Sequence, residues 1–114
     1  MPHPQSLQFQ RASVALTSAL ADFIEGKTGV IEVSRIVSSL RFELVGDTLD
    51  EEWRTFVGIA SETDQFPIGP VRAHWEKAAL SLKDSEAAQF EALYHETAVH
   101  SARILLMRYG RFSR

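Results

Sequence analysis

No cysteine occurs in the 114 residues, which excludes a disulfide framework, a thiol nucleophile and any cysteine-ligated zinc or iron–sulfur centre. No apolar run approaches the ~20 residues that span a bilayer, and Met1 to Gln10 carry no apolar stretch behind a basic region. A cytoplasmic chain without membrane attachment is expected. Positive charge is not in excess either: a formal net charge of −3 argues against nucleic acid as the partner, whose footprint is a basic face. With six glycines and four prolines, 45% hydrophobic and 24% charged residues, the composition is that of a globular protein rather than a collagenous or disordered one. A chain of this length buries about 65% of its unfolded surface, enough for one core. Residues 1–114 therefore read as a single domain.

Several chemistries lack their parts. There is no Gly-x-Gly-x-x-Gly and no phosphate-cradling loop, because Gly26-Lys27-Thr28 has no upstream glycine. No serine sits in a Gly-x-Ser-x-Gly elbow. Four histidines are present, but the His-Glu-x-x-His spacing that places two imidazoles on one ion is not; His95 and His100 lie about 140° apart on a helix. No catalytic set, cofactor motif or metal site is expected. His100 interrupts an apolar stripe and reads as a core or interface histidine, His74 as a surface group.

What the sequence has is helical periodicity. Leu7 to Glu25 sets Phe9, Leu16, Leu20, Phe23 and Ile24 on one face, with Gly26 as its stop. After a Thr28 cap, Val30, Val33, Val37, Leu40 and Leu44 recur at steps of three and four. A strand there would bury Glu32, Ser34 and Ser38. Thr48 ahead of Glu51 reads as a capping box opening a third, short helix with Trp53, Phe56 and Val57 inward and Gly58 as its end. An irregular stretch follows from Ile59 to Gly69, then a fourth segment from Pro70 past Trp75 to Leu82. A fifth, Asp84 to Tyr109, aligns Phe90, Leu93, Thr97, His100, Ile104 and Met107, widened by Tyr94, Ala98 and Leu105. These segments predict an all-α, single-domain antiparallel bundle of four or five helices with a long C-terminal helix. At ~40 Å, that helix exceeds what a chain of this length easily covers, and a homodimer through it is the simplest way to cover an open stripe, the alternative being that the first helix packs along it for its full length.

The stretch from Ser61 to Trp75 carries Ser-Glu-Thr-Asp followed by Pro67-x-Gly69-x-x-Arg72-x-x-Trp75. It is preceded by Ser39-Leu40-Arg41-x-Glu43 and by Phe56-Val57-Gly58-Ile59. This arrangement resembles an uncharacterised family of small bacterial proteins, a domain of unknown function, over about residues 20 to 110. The resemblance implies the fold and a role for the loop beyond that of a spacer, and no activity. Ala60 and Gln65 stand where that pattern has Asp and His, two polar groups fewer for any site built there.

The loop itself admits two readings. In one, Ser61, Thr63 and Asp64 hold turns and caps, Arg72 pairs with Asp64 or Glu62, and Trp75 plugs the core. In the other, Arg41, Glu62, Asp64 and Arg72, with His74 beside them, line a small polar pocket walled by Trp75 or Phe66. The functional expectation is a non-enzymatic binding protein, regulatory or immunity-like, acting through protein–protein contacts with a partner or with itself. Phe66, His100 and Arg103 are its candidate partner-binding residues. The alternative is a small-ligand or hydrolytic pocket on Glu62, Asp64 and Arg72.

Overall fold

The structure, a computed structural model, describes residues 3–47 and 49–112. Among them are four α-helices and no strand: α1 (Leu7–Ile24), α2 (Val30–Leu44), α3 (Glu51–Glu62) and α4 (Lys77–Tyr109), with short 3-10 turns at Gly69–His74 and Gly110–Phe112. No described helix is long and apolar enough to cross a membrane.

Side-chain contacts give the topology. Phe9 lies 6.2 Å from Tyr109 and Phe23 5.8 Å from His95 by ring centroid, so α1 runs antiparallel to α4. The start of α2 meets Glu91. Ser38 and Arg35 of α2 reach Phe56 and Thr63, which sets α3 antiparallel to α2. The chain thus forms an up-down-up-down bundle, the solution for amphipathic helices joined by short connections.

The first three helices follow their sequence signals with local exceptions. Ser6 caps α1, its hydroxyl accepting from the Phe9 amide at 3.0 Å, and Gly26 ends it at φ 82°, a conformation costly for any residue with a Cβ. The expected face of α1, including Phe9, Leu16, Leu20 and Phe23, is buried against Val30, Val33 and Val37 of α2 and Trp53 and Phe56 of α3. Thr28 does not cap α2: the cap position is Gly29, without a side-chain acceptor of its own. Thr48 lies outside the described residues; Asp50 caps α3 by accepting from the Trp53 amide at 3.2 Å. Gly58 does not end α3, which runs on to Glu62 until Thr63 folds its hydroxyl onto the Ile59 carbonyl at 2.6 Å. Glycine ends a helix where the backbone turns to positive φ, and Gly58 makes no such turn.

The second half departs further. The fourth segment is a 3-10 turn that stops at His74, because Trp75 is extended (φ −94°, ψ 144°), and α4 begins at Lys77 rather than Asp84. Trp75 is half-buried and no part of the core; Trp53 fills the centre, its ring 5.9 Å from and perpendicular to that of Tyr109. The 33 residues of α4 span about 50 Å at the helical rise. The long dimension of the molecule is 48 Å, so α4 overhangs its shorter neighbours.

Its core face is also not the expected stripe. Ala98 and Leu105, from its expected widened edge, are buried together with Ser101, Ala102 and Tyr109, whereas Leu93, Thr97, His100 and Met107 point to solvent and Phe90, Tyr94 and Ile104 are only half-covered. Apolar residues lie on every side of α4, so spacing alone does not choose a face. Packing does: α4 meets α1, α2 and α3, and the small Ala98, Ser101 and Ala102 lie on the face it buries.

Candidate functional site

Around the Thr63–Glu76 connection, four anchoring contacts tie α2, α3 and α4 together. The Arg35 guanidinium of α2 donates to the carbonyls of Thr63 (2.5 Å), which also accepts from the Phe66 amide at 3.1 Å, and of Phe66 (2.7 Å), bracing the turn that follows α3. Arg72 donates to the Pro67 carbonyl at 3.1 Å and makes a two-pronged pair with Asp84, both distances 2.8 Å. That hydrogen-bonded pairing, aided by charge attraction and opposed by partial desolvation, holds the Asp84 carboxyl below the usual carboxylate range and raises Arg72. Glu91 of α4 places both carboxylate oxygens on the start of α2, accepting from the amides of Val30 (2.7 Å) and Ile31 (2.8 Å). The fourth contact joins α3 to α4: the Tyr94 hydroxyl donates to Glu62, and the carboxylate beside it raises the tyrosine pKa.

The Glu91 contact explains Gly29. A Cβ at that position would stand 2.7 Å from the Glu91 carboxylate oxygen. Nothing in the backbone demands glycine there, its φ of −82° being open to any residue, but a side chain would push the Glu91 carboxylate off its present position. Glu91 does for α2 what an N-cap serine does elsewhere, and adds a full negative charge at the positive end of the helix dipole.

The expected pocket residues do not converge. Arg41 lies well along α2 from the loop, its guanidinium 4.5 Å over the neighbouring Phe42 ring; the arginine that reaches the loop is Arg35. Glu62 faces Tyr94, Asp64 is exposed, and Arg72 pairs with neither of them. His74 is exposed on the 3-10 turn. Phe66 is buried, its ring 5.6 Å from Phe90 and 5.8 Å from the Lys83 ammonium, so it anchors the loop to α4 rather than offering itself to a partner. A cavity of about 250 Å³ does lie beside it, lined by Ile31, Phe66, Arg72, Asp84 and Glu91 among others. Of its polar groups, Arg72 and Asp84 are bonded to each other and Glu91 to the α2 backbone, while Glu32 lines the same cavity.

The remaining expected positions, His100 and Arg103, are exposed on the outer face of α4. Along that face run Leu82 (63% exposed), Leu93 (68%) and Met107 (83%). Glu96 and Arg103 stand beside the row and form no ion pair among the described residues. Arg108, by contrast, turns inward to Asp50 and, at 3.0 Å, to Glu52, clamping the end of α4 onto the first turn of α3. No three or more His, Asp or Glu side chains among the described residues are grouped to hold a metal ion.

Arg35, Asp84 and Glu91 are the organising residues that sequence reasoning passes over. Only Glu91 left a signal: Gly29 precedes an apolar helix start with no side-chain acceptor, so the buried amides there require one from elsewhere. No family model, curated protein or solved structure matches the chain.

Proposed function

We propose that this chain is a non-enzymatic protein-binding module, regulatory or immunity-like in role, whose docking surface is the outer face of α4. The observation that carries the reading is the alignment of Leu93, His100 and Met107 on one solvent-facing line, with both apolar side chains more than two-thirds exposed. Isolated exposed apolar residues are ordinary; a row of them edged by Glu96 and Arg103, which form no ion pair among the described residues, has the anatomy of a small interface, apolar along the line and charged at the rim. The loop around Phe66 supports no second docking surface, because its aromatic anchor is spent on internal packing.

A photo-activated cross-linker placed at Leu93 or Met107 in the cell that makes the protein should capture a discrete protein species, and one placed at Ser39 on exposed α2 should not. Absence of adducts at both α4 positions would refute the assignment. The alternative, a small-ligand pocket on the loop, finds its support in the 250 Å³ cavity beside Arg72. It requires a ligand that exchanges with the Arg72–Asp84 pair, and an Arg72→Met variant that bound every candidate ligand as well as the parent would exclude it.

A further inference from the structure

We infer that the partner seated on the outer face of α4 is a second copy of the same chain, antiparallel, with the two-fold axis beside His100. The inference rests on the docking-face reading and names its occupant. Leu93 and Met107 each lie seven residues from His100, about 10 Å along the helix in opposite directions. The three positions drift only about 40° around the helix over that distance, so they form one usable line. A two-fold axis at His100 therefore sets Leu93 of one copy against Met107 of the other, twice, with the two His100 rings between.

The charges select this orientation. Glu96 and Arg103 stand on the same flank of the line, four residues before His100 and three after it. A two-fold axis perpendicular to the helices keeps each flank on its own side while reversing direction. Glu96 of each copy then meets Arg103 of the other, offset by one residue, about 1.5 Å, which long side chains absorb. On the opposite flank Thr97 meets Ile104 by the same operation. A parallel pair would set Glu96 against Thr97 and Arg103 against Ile104, leaving both charges unpaired. Such self-complementarity is what an isologous interface requires. A seam of one helix per copy falls at the small end of specific interfaces, roughly 1,200 Å² or less, so association in the micromolar range is expected.

The test uses the absence of native cysteine. His100→Cys should form a disulfide-linked dimer under mild oxidation, while Ser39→Cys should remain monomeric. In sedimentation equilibrium the parent chain should dimerise, and Glu96→Arg or Arg103→Glu alone should each weaken the dimer about tenfold. Combining both reversals in one chain, or mixing the two single variants, should restore it. All these positions are exposed, and unchanged melting curves confirm that folding is intact. A parent chain monomeric at about 1 mM, the weak end of specific affinities, with no His100→Cys dimer overturns self-association; so does failure of the reversals to rescue each other. If the cross-linker at Leu93 still captures a different protein, the docking face stands and only its occupant is wrong. If it captures nothing, both readings fall.

Discussion

Replacing Glu91 tests how far the start of α2 depends on a residue 60 positions away in sequence. The carboxylate accepts two backbone amides, those of Val30 and Ile31, whose residues are buried. Loss of a helix cap costs about 0.5–2 kcal/mol, and removal of a charge favourable to the dipole adds about 0.3–1 kcal/mol. Buried amides left unpaired add further cost, moderated because Glu91 itself is half-exposed and water can replace part of it. Glu91→Ala should therefore destabilise by about 2–3 kcal/mol, seen in urea denaturation as a lower midpoint with unchanged slope. Glu91→Gln, which keeps one acceptor oxygen, should lose about half as much.

The companion variant is Gly29→Ala, whose Cβ would push the carboxylate aside and weaken the same cap. In the Glu91→Ala background that obstruction has nothing to displace, so Gly29→Ala should then cost only the ordinary glycine-to-alanine difference at an N-cap, about 0.5–1 kcal/mol. The two changes should be non-additive by about 1 kcal/mol or more in a double-mutant cycle. Additive effects, or a Glu91→Ala cost below about 0.5 kcal/mol, would show that the α2 amides are satisfied in another way. Hydrogen exchange gives an independent readout: the Val30 and Ile31 amides should lose protection first.

Arg35→Ala should destabilise by about 2 kcal/mol, because it strips two carbonyls at the end of α3 of a charged donor, whereas Arg41→Ala should stay within about 0.5 kcal/mol; chemical denaturation of the two side by side decides. Ser34→Ala should stabilise by about 1 kcal/mol, since its buried hydroxyl has no hydrogen-bond partner among the described residues, and thermal melting should show a rise of several degrees. The Asp84 carboxyl has a depressed pKa in the folded chain, so its contribution is complete above the unfolded value near 4 and is lost as pH falls through the folded one. The stability difference between the parent and Asp84→Asn should accordingly be constant above pH ~5 and shrink below pH ~4. The Tyr94 hydroxyl, raised by Glu62, should titrate above the usual tyrosine range in ultraviolet absorbance and return toward it in Glu62→Gln.

Local signals were sufficient for α1 and α2 because each carries one continuous apolar stripe, and for these helices amphipathic spacing and burial are the same information. They failed at α4. Its apolar residues surround the helix, and the face that packs was chosen by small residues whose value lies in the approach they permit. The loop failed for a related reason. A sequence lists Arg72, Glu62 and Asp64 as neighbours, but partners are assigned across helices, where Asp84 and Tyr94 compete and win. Arg41 and Arg35 are six residues apart on one helix, about 9 Å along it and about 120° around it, and where α3 ends beside α2 it is Arg35 that faces the loop.

Composition and periodicity by themselves determined that the chain is all-helical, that it carries no thiol chemistry, and most of the apolar side chains that α1 and α2 bury, Ile31 excepted. Tertiary structure alone decided which face of α4 is left to solvent, which carboxylate caps α2, and which arginine holds the loop. The division has a physical origin: the backbone periods that set secondary structure act within a few residues, whereas the satisfaction of a buried amide or the choice between two apolar faces depends on what another helix presents at contact distance.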